Sequence, residues 1–117
     1  MSARTLFEKV WQAHEVLPET ADTPAVIAID LHLTHEVTTP QAFALLNSRG
    51  LRVRRPDKTV ATLDHAVPTD TVQVFGGTQI RELERNAREH GFELLGLGDP
   101  RRGIVHVIGP ELGRTQP

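Results

Sequence analysis

Short apolar runs rich in β-branched residues alternate along this chain with stretches of helical spacing, and that alternation constrains the fold more than any other feature. Ala25-Val-Ile-Ala-Ile-Asp-Leu31 is too short for a helix, is bounded by turn signals, and reads as a buried strand. Thr59-Val-Ala-Thr-Leu63 and Phe92-Glu-Leu-Leu95 are further strand candidates. Leu6, Val10 and Trp11 recur at helical spacing after Thr5, with Glu8 as a capping-box partner, which predicts a helix over 5–14. Thr38-Thr-Pro-Gln41 pairs a capping hydroxyl with a first-turn proline, and a second helix is expected to run from there to Gly50. The clearest helix spans 78–90, where Ile80, Leu83 and Ala87 share one face and Gly91 supplies the stop. Ile104-Val-His-Val-Ile108 fits a strand or a short helix, and Gly109 to Pro117 reads as a polar connection leading to no further element. The expected class is α/β with a largely parallel sheet.

At 117 residues the chain has the size of one domain. Its formal net charge of −2 offers no general field for phosphate backbones or an anionic membrane, so neither nucleic acid nor membrane is an expected partner. The one basic cluster, Arg49 to Lys58, reads as a solvated loop flank. No apolar run reaches the roughly 20 residues of a membrane span, and the opening residues lack the apolar core of a signal peptide; a cytoplasmic protein is expected. There are no cysteines, which excludes a disulfide framework, a thiol nucleophile or a thiolate metal site within this segment.

Six histidines is a generous count for 117 residues, and His32, His35, His65 and His106 stand in suggestive places. Ligands of open α/β sheets gather outside the carboxyl ends of the strands, and His32, His35 and Asp64-His65 each follow a predicted strand. Asp64-His65 is the most specific pair: a carboxylate beside an imidazole can fix its tautomer and keep it protonated as an acid. The same dipeptide also suits a capping or turn aspartate beside an exposed histidine. His32-Leu-Thr-His35-Glu36 inverts the order of the zinc signature His-Glu-x-x-His and offers no definite third ligand. His106, between Val105 and Val107, reads as a partly buried core histidine; His14 and His90 stand near helix C-termini, where an imidazolium meets the negative end of the dipole. Gly76-Gly77 and Gly96-Leu-Gly98 complete no phosphate-loop motif and read as turns.

Three segments in this order, His32-Leu-Thr-His-Glu-Val-Thr-Thr-Pro-Gln-Ala-Phe43, Val53-Arg-Arg-Pro56 with Ala61-Thr-Leu-Asp-His-Ala-Val-Pro-Thr69, and Gly103-Ile-Val-His-Val-Ile-Gly-Pro-Glu-Leu-Gly113, resemble the large subunits of bacterial isopropylmalate isomerases, members of the aconitase superfamily. The opening Thr5 to His14 resembles that family's start as well. The resemblance implies a partial three-layer α/β/α aconitase-type domain and a hydro-lyase of leucine biosynthesis that turns 2-isopropylmalate into 3-isopropylmalate by dehydration and rehydration. It implies a small-subunit partner and a [4Fe–4S] cluster on three cysteines, none of which lies here. By position, His65 would protonate the leaving hydroxyl, Asp64 would hold and charge it, His106 would support the proton relay, and His35 and Thr38 would contact substrate. The family's chain continues past a segment like Leu112 to Pro117 into the cluster-binding region. Residues 1–117 are thus expected to be the N-terminal part of the domain, inactive alone and open to self-association. Homoaconitase, another hydratase of the superfamily, and a non-catalytic assembly domain are the competing readings.

Overall fold

The computed structural model describes residues 3–67 and 77–115, and the chain divides into two units after Asp30. In the first unit, helix α1 (Leu6–His14) begins at the expected capping box. Thr5 is extended; its hydroxyl accepts the Glu8 N–H at 3.2 Å while the Glu8 carboxylate accepts the Thr5 N–H at 2.7 Å. Two otherwise unpaired donors are satisfied at once. The helix passes directly into β1 (Glu15–Leu17), which pairs antiparallel with β2 (Val26–Ile27).

The expected buried strand over 25–31 is corrected by this arrangement. Only Val26–Ile27 is strand, both residues are exposed, and Ile29 is 85% exposed. A two-stranded ribbon covers neither of its own faces, so apolar residues in it gain no burial from pairing alone. None of the described residues of this unit is buried.

The second unit is built on a parallel three-stranded sheet in the order β3 (His32–His35), β4 (Thr59–Thr62), β5 (Glu93–Leu95). Parallel neighbours need crossovers, and helices α2 (Thr39–Ser48) and α3 (Gly77–His90) supply them. Strand β4 is central and every residue of it is buried. Its side chains alternate between two cores. Ala61 and Leu63 pack with Phe43 of α2 and with Ile80, Leu83 and Ala87 of α3. Val60 packs on the other side with Leu95 and with Ile108 of helix α4 (Val105–Glu111). The unit is therefore a three-layer α/β/α sandwich, as the resemblance implies.

Several local expectations change in detail. Thr38 does begin α2, yet its side chain makes no capping bond; the Thr39 hydroxyl instead donates to the His35 carbonyl at 2.8 Å, tying α2 to the end of β3. Gly50 and Gly91 end α2 and α3 with φ of +65° and +79°, where a side chain would be strained. The ambiguous run after Gly103 is helical, and the helix takes in Gly109 to Glu111, which the sequence suggests are part of a loose connection. Gly109 is needed there: a Cβ would lie 2.9 Å from Thr115 Cγ2 and 3.0 Å from Leu33 Cδ1. Gly77 opens α3 instead of forming a turn, and Gly76 lies outside the described residues. The basic flank is held by its own neighbours: Arg55 pairs with Asp57 at 2.6 Å, and the Arg52 guanidinium donates to the Glu89 carbonyl.

Candidate functional site

The parallel register sets His35, the last residue of β3, against Thr62, the last residue of β4. The turns that follow each strand, 36–38 and 63–66, therefore emerge side by side at the carboxyl ends of the sheet, the usual place for ligand chemistry in this architecture. His35 is half-buried and His65 is exposed, and their ring centroids are 4.5 Å apart at an angle of 49°. The structure thus brings together two histidines separated by thirty positions in the chain.

Glu36 lies beneath them with no exposed surface. Its Oε2 accepts the Asp64 N–H at 2.9 Å, and its Oε1 accepts the His65 N–H at 2.6 Å and the Ala66 N–H. Burial alone would push this carboxyl up, but the N–H groups of Asp64, Ala66, Glu36 itself and His65 outweigh it and hold the carboxyl below its ordinary value. Glu36 is accordingly a buried anion neutralised by peptide dipoles. Local sequence reading gave it only the place of a misordered zinc-motif glutamate.

Asp64 occupies two bonds of its own. Besides giving its N–H to Glu36, it accepts the Val105 N–H at Oδ2 across 3.1 Å, capping the first turn of α4. Its Oδ1 lies 3.8 Å from His65 Nδ1, close enough for charge attraction but too long for a hydrogen bond. Both sequence readings of Asp64-His65 are therefore present in part: a capping aspartate beside an exposed histidine, with the carboxylate still adjacent to the ring. Thr62 reinforces the connection to α4, its hydroxyl donating to the Gly103 carbonyl at 2.7 Å.

The remaining predicted residues separate from this centre to different degrees. His35 Nδ1 accepts the Val37 N–H at 3.3 Å, so in the neutral ring the proton sits on Nε2. Thr38 is exposed at the start of α2. His106 is exposed in the first turn of α4, next to Val105, which corrects the expectation of a core histidine; the run is a helix, and the buried positions fall on Ile108 and Gly109. His32 begins β3 instead of following a strand. An odd spacing along a strand turns His32 and His35 to opposite faces, roughly 10 Å apart, so they cannot share one metal.

Two other histidines contrast in their surroundings. His90 is buried: Nδ1 accepts the Val53 N–H at 3.1 Å and Nε2 lies 3.0 Å from Asn47 Oδ1, so both ring nitrogens are tied to neighbouring elements. His14 faces the Val10 carbonyl at 2.7 Å and Asp30 at 2.9 Å, and the two acceptors, the carbonyl first, raise its pKa.

Ligand-type atoms of His35, Glu36 and His65 lie within 4.8 Å of one another. Three N–H groups already engage the Glu36 carboxylate, two at Oε1 and one at Oε2, so it is committed to the 64–66 peptides and the two imidazoles are the donors left over.

Residues 8–117 match the sequence profile of the aconitase family (aconitate hydratase). The 3-isopropylmalate dehydratase large subunit of Roseiflexus castenholzii is 55% identical over 123 residues, and that of Anaeromyxobacter dehalogenans is 51% identical over 123 residues. Each alignment covers 97% of this chain and 26% of the relative, so the chain spans about a quarter of the length of these relatives. No solved structure matches.

Proposed function

The chain belongs to the aconitase family, and from that premise we propose that it forms part of the large subunit of a 3-isopropylmalate dehydratase, the hydro-lyase that interconverts 2- and 3-isopropylmalate. The observation that carries the reading is the meeting of His35, Glu36, Asp64 and His65 at the carboxyl ends of two adjacent parallel strands, in a chain 55% identical to such a subunit. A small subunit would be the partner, as the name of the relatives suggests.

The chemistry is loss of hydroxide from one carbon and a proton from its neighbour, followed by return of water in the opposite sense. Hydroxide is a poor leaving group, and a positioned acid that protonates it is worth roughly 10²–10⁴ in rate. His65 suits that role because its ring is exposed to a ligand and the Asp64 carboxylate stands 3.8 Å from its Nδ1. His35 would present Nε2–H to a substrate oxygen, its other nitrogen being engaged by Val37. Thr38 adds a hydroxyl at the exposed start of α2, and His106 adds an imidazole on the helix that Asp64 caps.

The family resemblance also implies a [4Fe–4S] cluster, which such enzymes hold through cysteine thiolates. These 117 residues have no cysteine, so they do not fit the cluster; in the reading proposed, its ligands belong to the rest of the large subunit.

A hybrid tests the proposal. The matching quarter of the Roseiflexus castenholzii large subunit would be replaced by this chain, assembled with that organism's small subunit, and assayed for interconversion of the two isopropylmalates. Turnover near that of the parent, reduced roughly 10²-fold or more by His65→Ala, is the expected result. A hybrid that assembles with an intact cluster spectrum but leaves 2-isopropylmalate unchanged would refute it.

A further inference from the structure

We infer that Glu36 is a positioning residue: an ionised, buried carboxylate that holds the Asp64-His65-Ala66 backbone at the carboxyl end of β4 and, through it, sets the His65 imidazole against His35. The inference rests on the proposed reading of His65 as the acid, but its structural half stands on the hydrogen bonds alone.

Three consecutive N–H groups converge on one carboxylate, an arrangement that successive peptides adopt around anions. Such a turn has no strand or helix partner for these donors. Without an acceptor these half-buried donors would need water or another geometry. Glu36 supplies the acceptor from the neighbouring strand and cannot drift away from it. Its backbone follows β3, which is registered on β4 residue by residue, and the next helix is fastened to the same point through Thr39 and the His35 carbonyl.

The consequence is a chain of fixed positions. β3 places Glu36, Glu36 places the peptides of 64–66, and those peptides place His65 beside Asp64 on one side and His35 on the other. His65 needs this help because it is exposed, with little packing of its own to select a rotamer. Asp64 contributes from the other direction by capping α4, so the segment is pinned to two elements at once. A neutral amide at position 36 would present an NH₂ group to N–H donors in place of one of the two acceptor oxygens.

The test compares Glu36→Gln, His65→Ala and the double variant in the complete large subunit carrying this segment, assembled with its small subunit, and follows amide hydrogen exchange at 64–66 in parallel. Glu36→Gln is expected to lower kcat about 100-fold, the scale of a catalytic group misplaced by roughly 1 Å, with KM changed far less. The double variant should be no slower than His65→Ala, because Glu36 acts through His65. Glu36→Asp, which keeps the charge on a shorter arm, should recover part of the loss. The amides of Asp64, His65 and Ala66 should lose protection in Glu36→Gln while those of β4 keep theirs.

Unchanged protection at 64–66 in Glu36→Gln overturns the inference outright. Losses that multiply in the double variant overturn the route through His65, since a general structural defect would add to the loss of the acid. Lost protection together with a fully active His65→Ala sinks the proposed role of His65 and leaves the structural tie standing. A wild-type protein that fails to isomerise 2-isopropylmalate has the same meaning, with the exchange data still deciding whether Glu36 holds the turn.

Discussion

Residues 3–30 and residues 31–115 form secondary structure by different means. In the first unit the helix is secured locally: Thr5 and Glu8, three positions apart, satisfy each other's backbone groups, and every apolar side chain of α1 remains at least partly exposed. In the second, strands of three or four residues form because their neighbours bury them, and β4 has no exposed residue. A local signal can thus build an element without a core, whereas a short parallel strand exists only through contacts distant in sequence. The candidate site belongs entirely to the second kind.

The strongest way to break the contrast is to remove one side chain from each unit. Leu83 has no exposed surface and sits in the core shared by α2, α3 and β4, whereas Leu6 is 64% exposed. Leu83→Ala should cost about 2–5 kcal/mol, the range for a buried leucine that leaves a cavity. Leu6→Ala should stay within about 0.5 kcal/mol. Denaturant unfolding of the two variants measures both, and equal costs would show that the first unit also depends on packing.

The same contrast explains what was legible in the sequence. The capping box, the amphipathic face of Ile80, Leu83 and Ala87, and the glycine stops at 50 and 91 are all local, and each appears where the residues indicate. The α/β class was legible for the same reason. Strand identity was less so. Ala25 to Leu31 has the more apolar composition, yet His32–His35 is the strand of the sheet, because β4 selects its partner by register and burial. Glu36 was hidden for a related reason. Its three partners lie 28, 29 and 30 positions away, and no spacing rule within one element points to them. Position alone left the ambiguity of Asp64 intact, since the capping bond to Val105 spans 41 residues.

Acid should act on the second unit through Glu36. Its folded-state pKa lies below the ordinary value of about 4.5, so its contribution to stability is fully present above that value and is lost as pH falls through the folded-state pKa. Glu8, Asp57 and Asp99 are lowered in the same direction by partners, but Glu8 and Asp57 are exposed and Asp99 is half-buried against an exposed arginine, so each contributes less. Unfolding midpoints followed from pH 6 downward should therefore decline less steeply in Glu36→Gln than in the wild type. Parallel declines would mean that the carboxylate is not ionised against the 64–66 peptides in the folded state.

The first unit should respond to pH from the opposite side and more weakly. His14 is raised above its ordinary value of about 6.5 by the Val10 carbonyl first and by Asp30 second, so whatever its charged form contributes is fully present below that value and lost as pH rises through the raised pKa. The group joins the end of α1 to the ribbon, since the His14 carbonyl also accepts the Ala28 N–H at 2.8 Å. An NMR titration of the His14 ring should give a midpoint above 6.5 in the wild type. Asp30→Asn should move it partway back and no further, because the Val10 carbonyl remains. Salt should narrow the difference between the two proteins, as expected for an exposed pair and not for the buried peptide cradle of Glu36. A His14 midpoint at or below the ordinary value would remove the electrostatic tie between the end of α1 and the ribbon.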